Sequence, residues 1–599
     1  MGERLPTAHA AHERLAKVLA LPVLGSDAIS SSAYATEEIM LALALAGSGA
    51  LGYSAAIAAV IALLFAIVAV SYRQTVMAYP LGGGAYTVAR ENLGLYPALL
   101  AAAALLTDYV LTVAVSVASG VAAIVSAAPA LAQYRIHLCL LLIWFIAWAN
   151  LRGVRESGKL FAGPTYLFVG SLVLMLGIAS VRQFLLGEPS PEAAMARVEA
   201  KQALTAFLVL RAFASGCAAL TGIEAIANAV PVFKPPESRN AAATLLWMVA
   251  ICLALNLGIA AFTQVYHIVP DPHGAETVLS KVGRTVFGGG FLYYLLQAAT
   301  AMILGLAANT SFAGFPRLTS IMAKDGFAPR QLANVGDRLV FNNGIVLLAT
   351  FASALIVAFH GMTHALIPLY AVGVFISFTL SQAGMVRYWQ NHRTAGWHFK
   401  AAVNAIGATA TGVVLIVVAG VKFAYGAWIV LAVVPLLIAW FYKIAQHYRS
   451  LAAALTLEGY QMPRALHHQV LVLVPGLHRG VVQALLYARS LSPECEAVFV
   501  ETDPAETPAI QEKWERLPFR IPLTILKSPW RSLIDPIIQY IRTIRVEKKV
   551  DLVTVVIPEF STTRWWHPLL HNQAGLLLKF ALMNEPGVVV TNVRFRTGE

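Results

Sequence analysis

Three acidic residues stand in stretches otherwise fit for lipid. Asp27 lies in LPVLGSDAISSSAYATEEI (21–39), Asp108 in LLTDYVLTVAVSVASG (105–120) and Glu224 in SGCAALTGIE (215–224), none with an adjacent Lys or Arg. A charge at bilayer depth costs a few kcal/mol or more, so an intramembrane carboxylate is read as functional and needs a partner. A buried carboxylate far from basic residues must be protonated, hydrated or bound to a cation. Hydroxyls accompany each acid. Asp108, Thr112 and Ser116 recur every four residues, which on a helix makes a stripe of oxygens about 12 Å long. Tyr34 follows Asp27 by seven positions and shares its face if the helix resumes. Oxygen donors with one or two carboxylates suit a hard cation.

Each residue also has a plainer reading. Asp27 could cap a second half-helix through a backbone N–H. Thr112 and Ser116 could bond the carbonyl four residues back. Tyr109 can face the site or a partner helix. Thr221 and Glu224 follow a second glycine-containing interruption. Glu224 could take up a proton, or accept bonds from backbone freed at either interruption. Glu37 and Glu38 fall nearer the outer surface, where at least one is expected to be solvated. Tyr370, in LIPLYAVGVFISF (366–378), is a ligand or a packing residue.

These residues need helices to hold them in the membrane. The chain has 599 residues, 58% hydrophobic and 12% charged, against about 25% charged in soluble domains. Twelve apolar stretches are long enough to cross a bilayer: 17–47, 51–79, 96–129, 136–151, 160–181, 204–230, 241–265, 286–314, 344–360, 364–386, 399–421 and 426–445. The first is interrupted at GSDAISSS and the sixth at SGCAALTGIE, so the two breaks lie five segments apart. Paired interruptions point to an inverted-repeat transporter with a midplane site between broken helices.

The net charge of +12 does not imply a nucleic-acid partner, because the basic residues cluster in alternate loops. One set carries Arg4, Arg14, Lys17, Arg73, Arg90, Arg152, Arg155, Lys159, Lys234, Arg239, Arg317, Lys324, Arg330, Arg338, Arg387, Arg393 and Lys400. The other carries Arg135, Arg182, Arg197, Lys201, Lys281, Arg284 and Lys422. Positive loops stay inside, so both termini are expected in the cytoplasm of a multi-pass plasma-membrane protein. The N-terminal segment reads as no cleavable signal peptide, since its apolar stretch leads straight into the first break. The cysteines Cys139, Cys217, Cys252 and Cys495 lack metal-site spacing and read as small apolar filler.

From 446 the apolar runs shorten. The transmembrane part is placed at 1–445, a linker at 446–467 and a cytoplasmic domain at 468–599. In that domain strands are expected at 468–477, 495–503, 521–529, 551–560 and 587–596, alternating with helices at 481–492, 508–517, 533–549 and 567–584. Such alternation predicts a parallel sheet covered on both faces.

LPVLGSDAISSSAYATEEI, YPLGGGAYTVARENLG (79–94), LTDYVLTVAVSVASG, NLRGVRESGKLF (150–161) and GIEAIANAVPVFKPPESRNAA (222–242) resemble the amino acid–polyamine–organocation superfamily. More narrowly they resemble the KimA-type potassium importers of its KUP branch, over the whole chain. The resemblance implies an all-α polytopic membrane protein with a LeuT-type fold of two inverted five-helix repeats plus two helices. It also implies a C-terminal α/β domain similar to universal stress proteins, proton-coupled potassium uptake and a homodimer joined through that domain. It places potassium at Asp27, Tyr34, Asp108, Tyr109, Thr112, Ser116, Thr221 and Tyr370, and proton coupling at Glu224. It further implies inhibition by cyclic di-AMP through the tail, which has no recognisable nucleotide-binding glycine fingerprint.

The residues themselves leave competitors. An amino-acid permease receives its substrate's carboxylate at the first break, where Asp27 would repel it. An amine or polyamine would accept Asp27 and Asp108. A membrane sensor reading a ligand through the tail has no need of acids and hydroxyls through mid-membrane. An enzyme is disfavoured, because the sequence carries no HExxH metal motif, no phosphate-cradling loop and no Ser–His–Asp arrangement.

Overall fold

The serine run decides where the first membrane segment breaks. In a computed structural model of the chain, α1 (Lys17–Ser30) continues through Gly25, Ser26 and Asp27 as regular helix. The interruption therefore begins at Ser31, not at the glycine. The hydroxyls of Ser30 and Ser31 both donate to the Asp27 carbonyl, at 2.9 and 3.1 Å, and so compete with the main chain for that acceptor. A single 3₁₀ turn, Ser31–Ala33, and a non-helical Tyr34 follow before α2 (Ala35–Leu43) resumes. Gly25 serves packing instead: a Cβ there would stand 3.2 Å from the Met248 side chain.

The structure describes residues 14–152, 158–187, 198–271, 274–334, 341–459, 466–518, 520–528, 532–561 and 574–596. The loop residues Arg4, Arg155, Arg197 and Arg338, and the expected helix start at 567–573, lie outside them. Two compact units emerge, Met1–Leu455 and Thr456–Glu599.

The first unit continues with α3 (Ser54–Ala78), α4 (Ala85–Asn92), α5 (Leu95–Ala127), α6 (Arg135–Leu151), α7 (Gly158–Ser180), α8 (Ala206–Gly216), α9 (Ile223–Asn228) and α10 (Glu237–Val265). It ends with α11 (Val278–Phe287), α12 (Phe291–Lys324), α13 (Asn342–Ala358), α14 (Thr363–His392), α15 (Trp397–Lys422) and α16 (Ala427–Leu455). Ten stretches among the described residues are long and apolar enough to cross a bilayer, not the expected twelve. The other two are the first segment, divided into pieces of 14 and 9 residues, and α13, with 17. At 1.5 Å per residue, 17 residues reach about 26 Å against a hydrocarbon core of about 30 Å. Helix α16 runs past the expected end at 445, so the first unit takes in part of the expected linker. Outward faces carry exposed Leu63, Phe145, Trp247, Ile416 and Leu436, as lipid contact requires.

The second unit is a five-stranded sheet in the order β3-β2-β1-β4-β5, every pairing parallel. Its elements are β1 (His468–Leu473), α17 (Arg479–Leu491), β2 (Cys495–Glu501), α18 (Thr507–Glu515), β3 (Leu523–Lys527), α19 (Ile534–Glu547), β4 (Leu552–Ser561), α20 (Ala574–Leu582) and β5 (Val588–Arg596). Side chains alternate across a strand. Leu471 and Val553 therefore pack with Ile537, Ile541 and Leu578 of α19 and α20, while Val470 and Val472 pack with Val481 and Leu485 of α17. Both faces are covered, as parallel sheets require.

Candidate ion site

The second interruption is built from backbone that only glycine tolerates. Helix α8 ends at Gly216 and a 3₁₀ turn runs Cys217–Leu220. Thr221 is extended (φ −88°, ψ 172°) and Gly222 is left-handed at φ 80° before α9 starts. A Cβ on Gly222 would come within 2.6 Å of the Ala28 backbone nitrogen. The second break is thus pressed onto α1 one residue beyond Asp27.

Ser31 joins the two breaks. Its hydroxyl lies 2.9 Å from the Tyr34 hydroxyl and 3.2 Å from that of Thr221, besides donating to the Asp27 carbonyl. The Asp27 carboxylate caps nothing: it sits inside α1, 6% exposed, and its Oδ1 is buried without a hydrogen-bond partner among the described residues. The capping reading is therefore excluded. Oδ1 of Asp108 is buried and unpartnered in the same way.

Helix α5 is continuous through Asp108, Thr112 and Ser116, which keeps the three on one stripe. Thr112 does not bond the preceding turn. It donates to the Tyr370 hydroxyl on α14 at 3.0 Å. Close approach of these helices depends on Gly373, where a Cβ would meet the Ala104 carbonyl oxygen at 2.9 Å and Asp108 Cβ at 3.6 Å. Tyr109 lies over Gly314 of α12, where an added Cβ would fall 2.6 Å from its ring.

Asp27, Asp108, Tyr109, Thr112 and Glu224 line one cavity of about 410 Å³. It extends to exposed Leu81 and Arg317. Tyr34, Ser116, Thr221 and Tyr370 do not line it. Tyr34 instead borders a second, small cavity of about 40 Å³, together with Glu37, Glu38, Ser119 and Arg135. Glu38 is buried at 7% exposure, whereas Glu37 is partly exposed.

Glu224 departs from expectation. Its Oε1 accepts from the Ala85 amide at 2.7 Å, at the start of α4 and not at either break. Helix N-termini present free N–H groups, which favour a carboxylate. The LGGG turn brings α4 there: Gly83 N–H donates to the Ala227 carbonyl at 3.0 Å, and a Cβ on Gly84 would fall on the Asn228 side chain. Both ends of α4 are fastened to the end of α12: Tyr86, in its first turn, donates to Asp325 at 2.7 Å, and Arg90, in its last, pairs with the same carboxylate.

Three contributors escaped the sequence reading. Ser31 was legible as the hydroxyl four after Asp27 and three before Tyr34. Ser311, on α12, lines the large cavity and has a buried Oγ without a hydrogen-bond partner among the described residues; a lone serine in an apolar helix gives little signal. Lys422, counted as an outer-loop charge, is 2% exposed.

Residues 20–441 match the amino acid permease family, and residues 466–595 match the KimA potassium transporter C-terminal domain. A curated relative from Bacillus subtilis (strain 168), the potassium transporter KimA, is 39% identical over 599 residues, covering 99% of this chain and 98% of its own. The chain belongs to the KimA family of potassium transporters. Membership accounts for both units at once, a permease-type helical bundle and a C-terminal parallel-sheet domain, and it makes the protein a membrane transporter and not an enzyme.

Proposed function

We propose that the protein takes up potassium across the plasma membrane by secondary active transport, as a proton symporter working by alternating access. One observation carries the reading: Asp27 and Asp108 line one cavity, and each has a buried carboxylate oxygen without a hydrogen-bond partner among the described residues. An unpaired buried carboxylate is costly, and a bound cation removes the cost. Asp27 and Asp108 compensate the ion's charge, while Tyr34, Tyr109, Thr112, Ser116, Thr221 and Tyr370 supply oxygens in place of water. Glu224 carries the coupled proton, because a proton on its carboxyl would weaken its hold on the Ala85 amide. Each charge moving inward gains about 2.3 kcal/mol per 100 mV.

An amino-acid substrate fits less well, since its carboxylate would meet that of Asp27. In this reading the chain crosses the bilayer twelve times as a LeuT-type inverted repeat, with the short α13 and the broken first segment included. Both termini are cytoplasmic. The second unit resembles universal stress proteins, joins two copies into a homodimer and binds cyclic di-AMP as an inhibitor. The boundary between transporter and regulatory domain lies within 446–467.

The test is rubidium and potassium uptake into proteoliposomes with and without a pH gradient, comparing the natural chain with Asp27→Asn and Asp108→Asn. Uptake should fall sharply in both variants and follow the gradient in the natural chain. Undiminished rubidium uptake in both would reject the site, and indifference to the gradient would reject proton coupling.

A further inference from the structure

A fixed positive charge lines the cavity that holds the acids. Among its described lining residues are three carboxylates, Asp27, Asp108 and Glu224, and one cation, Arg317. The sequence reading counts Arg317 with the loop charges, but α12 (Phe291–Lys324) runs on past it. Nearly two turns earlier on that helix, Ser311 lines the same cavity at 1% exposure. Six residues of helix separate the two by about 9 Å along the axis. Arg317 is exposed, and its guanidinium forms no ion pair and no hydrogen bond among the described residues. The carboxylate at the end of α12, Asp325, is taken by Arg90 and Tyr86. Three carboxylates by themselves would favour a doubly charged guest over potassium, because Coulomb attraction scales with the charge of the guest. A diamine, the competitor that Asp27 and Asp108 would accept, or a divalent metal would then fill the cavity.

We propose that Arg317 is a specificity-determining residue, a tethered cation that keeps doubly charged cations from competing with potassium for the carboxylates of the large cavity. The inference rests on the transport reading above and adds the class of competitor that the site rejects. Discrimination is a difference of two affinities and can be made by repelling the wrong guest. Arg317 repels one charge on potassium and two on a divalent metal or a diamine. Removing it therefore tightens potassium by some factor and a dication by about the square of that factor.

The test uses the full chain in detergent, where both faces are wet. Equilibrium binding of tracer rubidium is displaced by potassium, magnesium or putrescine, a diamine, with ionic strength held by N-methylglucamine chloride. In the natural chain potassium should displace rubidium at lower concentration than either dication. In Arg317→Gln, half-displacement by potassium should need about a third of the natural concentration, as one charge about 9 Å away in largely watery surroundings implies. Half-displacement by either dication should need about a tenth, so the ratio moves about threefold toward the dication. Arg317→Glu should move the ratio further the same way, which keeps the test alive if Arg317→Gln does not fold. Arg317→Lys, which retains the charge, should hold the ratio. Lys324→Gln removes an exposed charge at the end of the same helix, outside the cavity, and should leave the ratio unmoved. A natural chain that prefers the dications, a ratio that stays put in Arg317→Gln and Arg317→Glu, or an equal shift in Arg317→Lys or Lys324→Gln overturns the role of Arg317 alone. A natural chain that binds no rubidium sinks the ion site itself.

Discussion

Gly222→Ala separates the architecture of the site from its ligands, because glycine contributes no side-chain oxygen. Two costs are readable from the structure. At φ 80° an L-residue pays about 1–2 kcal/mol for the left-handed conformation. The new Cβ would stand 2.6 Å from the Ala28 backbone nitrogen, roughly 0.8 Å inside ordinary van der Waals contact. Backbone cannot rotate away as a side chain can, so overpacking adds about 1–3 kcal/mol. The sum, about 2–5 kcal/mol, falls on the contact that sets Asp27 against Thr221. Part is relieved by pushing α1 off the second break, which spreads the oxygens apart. Since about 1.4 kcal/mol is tenfold in an equilibrium constant, rubidium uptake should drop at least tenfold and the melting temperature should fall. Gly305→Ala is the control, for a Cβ there meets nothing within 4 Å, and it should transport normally. If Gly222→Ala matched the natural chain in both uptake and melting, the close packing of the two breaks would have no part in the site.

Three further outcomes follow from individual contacts. Ser31→Ala removes the hydroxyl shared by Tyr34, Thr221 and the Asp27 carbonyl. It should cost about 1–3 kcal/mol and raise the rubidium concentration for half-maximal uptake; unchanged half-saturation would place Ser31 outside the site. Thr112→Val keeps the shape but takes the donor from the Tyr370 hydroxyl, so half-saturation should rise again, while Thr112→Ser should keep it near normal. In the second unit Tyr540 and Thr524 both donate to Glu496, which is 7% exposed. Burial, then the bond to Glu496, pushes the Tyr540 hydroxyl from 10.0 up to about 12. A raised value means the protonated form is the one the fold favours. The contribution is therefore complete below pH 10 and lost as pH rises through 12. Tyr540→Phe should lower the melting temperature of this unit at neutral pH, and the two proteins should converge by about pH 12.

How far the site was legible depended on whether a residue's partner lay along its own helix. Asp108, Thr112 and Ser116 could be placed together because an unbroken α5 fixes their spacing. The alternation of strands and helices from 468 onward gave the tail its elements, because parallel strands buried on both faces are written as short apolar runs between turns. The interruption at the serines was legible too, but its position was not: glycine suggested residue 25, and the competition of Ser30 and Ser31 for one carbonyl moved it to 31.

Sequence alone determined that this chain lives in a membrane, breaks two of its helices and places carboxylates where lipid should be, because periodicity and the cost of buried charge act locally. Tertiary structure alone decided who faces whom. It set Glu224 on the Ala85 amide instead of on either break, paired Thr112 with Tyr370, and buried Lys422, counted with the loops, inside the bundle. Contacts between residues more than a hundred positions apart are fixed by how helices pack against small residues such as Gly222 and Gly373, and no local pattern encodes that.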